Sequence, residues 1–214
     1  MKAGLPTWSP GRPLGPLRRL LDRGGILAIP SESSYGLAVD PRSAAGVEAI
    51  YRVKERERDK ALLVVAADLA QLAALGAVVE APGMAAIAAL WPAPLTAILP
   101  LQPGAELPAV AGGSTLACRV PAHAELRKLL SRLGFALTAT SANRAGAAPI
   151  VDPAELAELL AGHDAAIWDA GILPGGPPST LVELTPAGWK ILRQGAFPAG
   201  LLPAARGGEE SPSR

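Results

Sequence analysis

Ile26-Leu27-Ala28-Ile29-Pro30-Ser31-Glu32-Ser33-Ser34-Tyr35-Gly36-Leu37-Ala38-Val39 is the stretch on which the fold turns. Ile26 to Ile29 is a short apolar run ending at Pro30, the signature of a buried strand. A polar turn, Ser31-Glu32-Ser33-Ser34, follows, and Gly36 to Val39 resumes as a strand. Upstream, leucines 14, 17, 20 and 21 mark a helix from Leu14 to Arg23, stopped by Gly24-Gly25. Downstream, a helix from Ser43 to about Val53 leads to a strand at Ala61 to Ala66, after which Asp68 caps another helix.

Further strands are expected at 95–99, 115–120, 136–139, 165–168, 180–184 and 189–192. Helices fall near 84–91, 122–133 and 153–161, the last with Asp152 as N-cap and Pro153 at its first position. Strands and helices mix without the regular alternation of a doubly wound sheet. The expectation is an α+β fold: a single domain around one large, mixed, twisted sheet with flanking helices. Residues 14–198 form that domain, 1–13 an N-terminal extension, and 199–214 a disordered tail, clearest from Pro203.

Between Arg52 and Lys60 the cations Arg52, Lys54, Arg56, Arg58 and Lys60 stand at alternate positions, with Glu55, Glu57 and Asp59 among them. In an extended segment they share one face, a row suited to a polyanion; on a helix they scatter. Net charge is only +1, so an anion site must be local. Cys118 is the single cysteine, and His123 and His163 are the only histidines, which excludes an internal disulfide and a multi-Cys zinc cluster. The chemistry must rest on cations, hydroxyls and backbone amides. The uncharged stretch Ala81 to Leu101 is long enough to span a bilayer, but prolines at 82, 92, 94 and 100 break it. Met1 to Pro16 lacks an apolar signal core. The chain is read as soluble and cytoplasmic, without membrane contact.

Candidate binding segments sit where strands end. The turn after Pro30 offers hydroxyls and amides to an anion. On the strand from Ser114 to Val120, Leu116, Cys118 and Val120 face the core, while Thr115, Ala117 and Arg119 share the other face. Cys118 is thereby structural, and Arg119 is either half of an ion pair or a clamp for a carboxylate. Thr138 to Asn143 runs from a strand into Thr-Ser-x-Asn, and Ser179-Thr180 and Arg193 lie at later strand boundaries. Walker-type and Gly-x-Gly-x-x-Gly loops are missing.

Taken in order, these segments resemble the YrdC/TsaC family of threonylcarbamoyl-AMP synthases over roughly residues 14 to 195. Pro30 to Gly36 resembles Pro-Thr-Glu-Thr/Ala-x-Tyr/Phe-Gly. Lys54 to Leu62 resembles Lys-x-Arg-Pro-x-x-Lys/Asn-Pro/Gly-Leu. Trp91-Pro92-Ala93-Pro94-Leu95-Thr96 resembles Trp-Pro-Gly-Pro-Leu/Val-Thr. Arg119-Val120-Pro121, Ser141-Ala142-Asn143, Ser179-Thr180 and Leu192-Arg193-Gln194-Gly195 complete the pattern.

The resemblance implies synthesis of threonylcarbamoyl-AMP and pyrophosphate from L-threonine, bicarbonate and ATP with Mg²⁺, for threonylcarbamoyladenosine in tRNA. It implies Lys54 and Arg56 on the ATP phosphates, with Lys60 nearby. Thr115, Thr140, Ser141, Asn143 and Arg193 would line the nucleotide, and Ser31, Arg119 and Ser179 would hold threonine. No residue is singled out as a catalytic nucleophile or base or as a metal ligand; Lys54, Arg56 and Arg119 position. A downstream tRNA threonylcarbamoyl-transfer complex is the implied partner, with a weak direct tRNA contact compatible.

Ser31 for Thr, Glu57 for Pro and Ala93 for Gly depart from the pattern; Glu57 puts a carboxylate beside an expected phosphate contact. Glu32 and the intact Ser-Ala-Asn favour the synthase branch over a less active paralogous one. Two other readings are an RNA-binding module of this fold without synthase activity and a carbamoyl-transfer domain split from a hydrogenase-maturation protein. The balanced charge argues against tight RNA binding.

Overall fold

The computed structural model describes residues 5–81, 83–185 and 188–202. Among these residues, eleven strands divide between two mixed sheets. The first, five-stranded, runs β1 (Thr7–Trp8), β9 (Ala165–Trp168), β2 (Ile26–Pro30), β3 (Tyr35–Ala38), β8 (Thr140–Ser141). The second, six-stranded, runs β11 (Gly188–Arg193), β10 (Thr180–Thr185), β5 (Leu95–Pro100), β6 (Thr115–Arg119), β4 (Val64–Val65), β7 (Leu137–Thr138). The α+β class with mixed sheets and flanking helices is as expected; the strands occupy two ladders where one was anticipated. β7 belongs to one sheet and β8 to the other, with Ala139 alone between them.

Helices follow the apolar periods. α1 (Leu14–Asp22) buries Leu17, Leu20 and Leu21, and α5 (Ala124–Leu133) buries Leu126, Leu129, Leu130 and Leu133. These leucines form one cluster with Trp8, Leu27, Ile29 and Trp168. α2 (Ala44–Lys54) packs Val47, Ile50 and Val53 into a second cluster that also holds Tyr35, Leu95, Leu116 and Cys118. Gly24 ends α1 at φ +81°, and a Cβ there would stand 2.9 Å from the Cβ of Ala45. Asp68 caps α3 (Leu69–Ala73) and Asp152 caps α6 (Pro153–Leu159), each accepting a backbone N–H. The imidazole of His123 caps α5 through Nδ1, 3.1 Å from the Leu126 amide.

Several expectations change. The helix near 84–91 is α4 (Met84–Ala88), and the strand at 61–66 narrows to β4. The N-terminal extension contributes β1, which pairs in parallel with β9, so the sheet begins before residue 14. Ala199–Leu201 is a 3-10 turn; the tail expected from Pro203 lies outside the described residues. The cations at 52–60 form no extended row. Val47, Ile50, Tyr51, Val53 and Lys54 carry the helix through Lys54, and Glu55 then turns the chain with φ 50°. No helix among the described residues is long and apolar enough to cross a membrane.

β6 alternates as read: Leu116 and Cys118 are fully buried, Thr115 is exposed. Burial pushes the Cys118 thiol well above its ordinary pKa, leaving almost no thiolate to react. The folded chain should therefore resist iodoacetamide for hours, and Cys118→Ala should keep its fold while losing about 1–2 kcal/mol in urea titration. Rapid labelling of the native protein would contradict this packing.

Candidate functional site

A cleft of about 480 Å³ opens between the two sheets. One wall carries Ile29, the turn Ser31–Gly36 and the strand end Thr140-Ser141 from the five-stranded sheet. The other carries Thr96, Ala117, Arg119, Leu181 and Arg193 from the six-stranded sheet. Gly175, Pro177, Pro178 and Ser179, on the connection from β9 to β10, border the cleft. That connection is fastened to β3: the Tyr35 hydroxyl donates to the Gly171 carbonyl at 2.8 Å and accepts from the Ala170 amide at 3.0 Å. Desolvation, chiefly, raises the Tyr35 pKa, so the phenol stays protonated and able to donate.

Arg119 is the central cation. Its side chain is 7% exposed and its Nη1 lies 3.0 Å from Glu32 Oε2. Glu32 reaches across from the turn after β2 and also accepts the Ala122 amide at 2.7 Å. Burial pulls the guanidinium pKa down and Glu32 opposes the pull, so the group remains charged. The Nε atoms of Arg119 and Arg56 are buried without a hydrogen-bond partner among the described residues. Both arginines line the cleft.

Of the residues expected at a site, Ser31, Arg56, Arg119, Thr140, Ser141, Ser179 and Arg193 converge on this cleft. Ser179 is held by Thr96, whose Oγ1 lies 2.7 Å from its Oγ, and by Arg193, whose Nη2 donates to its carbonyl at 3.1 Å. Gly195 makes that proximity possible, because a Cβ there would overlap the Pro178 carbonyl at 2.1 Å.

Lys54, Lys60, Thr115 and Asn143 are not among the residues bordering the cleft. Lys54 Nζ is buried against Ser141 and Asn143. Lys60 pairs with Glu57 at 2.6 Å, and Arg58 with Glu48 at 2.5 Å. Thr115 opens the strand that Arg119 closes, roughly 13 Å away at strand rise.

The departures at 57 and 93 become intelligible. Glu57 is exposed, paired with Lys60 and away from the cleft. Ala93 is buried, its amide donates to the Val120 carbonyl, and it lacks the positive φ that would demand glycine. Sequence reading passed over the Glu32–Arg119 pair, Thr96 and the Tyr35 tether. Thr96 had a signal, since it closes the Trp-Pro-Ala-Pro-Leu-Thr stretch; the other two depend on partners distant in the chain.

A cleft lined by three arginines, one carboxylate and several hydroxyls, with no His, Cys or Lys among the described lining residues, suits binding of anions. It offers positioning and charge neutralisation in place of a covalent nucleophile.

The sequence model of the family described as "Telomere recombination" (Sua5_yciO_yrdC) matches residues 19–195. The threonylcarbamoyl-AMP synthase of Thiobacillus denitrificans is 36% identical over 177 residues, covering 83% of this chain and 93% of that relative. That of Idiomarina loihiensis is 33% identical, covering 80% and 92%. The crystal structure of P. abyssi Sua5 complexed with L-threonine superposes with a TM-score of 0.75 at 30% identity. It covers 85% of this chain, which spans just over half, 54%, of that longer one.

Replacing Glu32 by Ala leaves the Arg119 charge buried without its carboxylate. The expected loss is about 3 kcal/mol in equilibrium urea unfolding. An unchanged midpoint would show that the pair contributes nothing to the fold.

Proposed function

The chain belongs to the Sua5/YciO/YrdC family, and from that premise we propose that it forms threonylcarbamoyl-AMP and pyrophosphate from L-threonine, bicarbonate and ATP. The observation that carries the reading is the cleft itself: separate cations on its walls, with hydroxyls between them. Arg119 takes the threonine carboxylate, assisted by the hydroxyls of Ser31 and Ser179. Arg56 faces the ATP phosphates, and Thr140, Ser141 and Arg193 border the nucleotide.

Chemistry then needs two steps. The threonine amine adds to carbon dioxide or bicarbonate to give a carbamate. A carbamate oxygen next attacks the α-phosphorus in line, the bond to the β-phosphate bridging oxygen breaks, and pyrophosphate leaves. Water from bicarbonate completes the balance. The protein's part is to hold two anions in reacting geometry and to offset their charge with arginines.

Mg²⁺ enters this reading on the ATP phosphates. No group of three or more His, Cys, Asp or Glu among the described residues could hold a metal ion. Glu32, the one carboxylate on the described lining, is committed to Arg119 and the Ala122 amide. That donor set does not fit a protein-built metal site, while magnesium characteristically rides on substrate phosphates with its own waters. We place the protein in the cytoplasm, passing its product to a tRNA threonylcarbamoyl-transfer complex, with at most weak direct contact to tRNA at its net charge of +1.

ATP cleavage by the purified chain should require both L-threonine and bicarbonate and release pyrophosphate. Equal cleavage without threonine, or release of orthophosphate, would sink the reading. Arg119→Lys keeps the charge and loses the planar fork, so KM for threonine should rise at least about tenfold. ATP affinity without threonine should hardly move. Loss of ATP binding instead would reassign Arg119 to a phosphate.

A further inference from the structure

Lys54 is the most buried cation among the described residues, 3% exposed at the end of α2. Its ammonium has three N–H donors, and three oxygens surround it: Ser141 O at 2.5 Å, Asn143 Oδ1 at 2.8 Å and Asn143 O at 3.0 Å. Every donor is engaged inside the protein.

Asn143 is equally committed. Its Oδ1 also accepts from Ser141 Oγ at 2.6 Å, and its Nδ2 donates to the Ala147 carbonyl at 2.6 Å. Two more links join the same segments. The Ala145 amide donates to the Lys54 carbonyl at 2.8 Å, and Arg144 pairs with Glu55 at 3.1 Å. The end of α2 and the turn after β8 are thus laced together, with Lys54 as the hub. Thr140 and Ser141, at the head of that turn, line the cleft; Lys54 and Asn143 do not.

We propose that Lys54 is a positioning residue, fixing the Ser141–Asn143 turn so that Thr140 and Ser141 present a set surface to the nucleoside part of the nucleotide. Its effect on nucleotide binding passes through that turn and not through a contact with phosphate. To reach a phosphate, Nζ would have to abandon three oxygens and leave Ser141 O and Asn143 O, both half-buried, short of a donor. Burial chiefly, and Arg56 secondarily, lower the Lys54 pKa to about 8, so near neutral pH the ammonium keeps the proton that its three oxygens require. Arg56, which lines the cleft, remains the phosphate contact of this pair.

The proposal rests on the reading that ATP lies against Thr140 and Ser141, and adenosine separates the two. Calorimetric titrations of the full chain with ATP and with adenosine should distinguish a positioning lysine from a phosphate-binding one. Lys54→Met should weaken both ligands by the same factor, at least about tenfold. Arg56→Ala should weaken ATP and leave adenosine unchanged.

Lys54→Cys alkylated with 2-bromoethylamine restores an ammonium at nearly the same reach, Cys118 being buried and unreactive, and should recover both affinities. An ATP-only loss in Lys54→Met, or no loss of either ligand, overturns the proposal while the functional reading stands. If the wild-type chain binds neither ligand, the functional reading falls and takes the proposal with it. Should Lys54→Met fail to fold, Asn143→Ala, which removes one of the three oxygens, carries the same comparison, with parallel losses expected.

Discussion

Burying the Arg119 guanidinium requires a carboxylate, and the one that answers it comes from the opposite sheet. Glu32 stands on the turn after β2, Arg119 at the end of β6, and their contact links the two ladders across the cleft, as the Thr138 hydroxyl does elsewhere through Leu37 and Val39. Because the same carboxylate holds the Ala122 amide, it also sets where α5 begins, just past the His123 cap. The pair lies within the lining of the cleft. A shorter acid at position 32 would draw the walls together or leave the charge stranded, and either would alter the space in which a carboxylate and a phosphate must meet.

Around that pair the site is assembled from strand ends and the turns that follow them. Ser31 lies after β2, Ser141 closes β8, Ser179 precedes β10 and Arg193 ends β11. Strand ends suit this purpose because the ladder fixes the backbone while the last residues are released to face a ligand. The hydroxyls are further oriented by neighbours: Ser31 Oγ donates to the Ser34 carbonyl at 2.7 Å, and Thr96 meets Ser179. What results is a rigid frame of donors with little freedom left to lose on binding, the condition under which positioning contributes most to rate.

Much of this was legible from the chain. Leucine spacing exposed α1 and α5, Asp68 and Asp152 marked helix starts, and alternation in β6 put Cys118 inside and Arg119 on the cleft. The division into two sheets was not legible, because β4, β7 and β8 are only two residues each and carry no period. The spelling of the charged run misled for a related reason. Alternate cations suggest a strand, but Ser43 caps α2 through Gly46 and apolar residues at helical spacing draw it on through Lys54. Tertiary packing overrode the local pattern. The partners of Lys54 lie almost ninety positions away, a separation no single-chain reading crosses.

The crossing at Ala139 has a consequence for how the molecule comes apart. β1 at the N-terminus needs β9, with Thr7 opposite Ile167, while the second sheet draws strands from Val64 to Arg193. Neither sheet is a contiguous piece of chain, and β7 and β8 are knotted to one another by a single residue. Each sheet therefore draws on segments far apart in the chain, whose meeting closes long loops and makes for slow folding, and neither can peel away as one continuous segment.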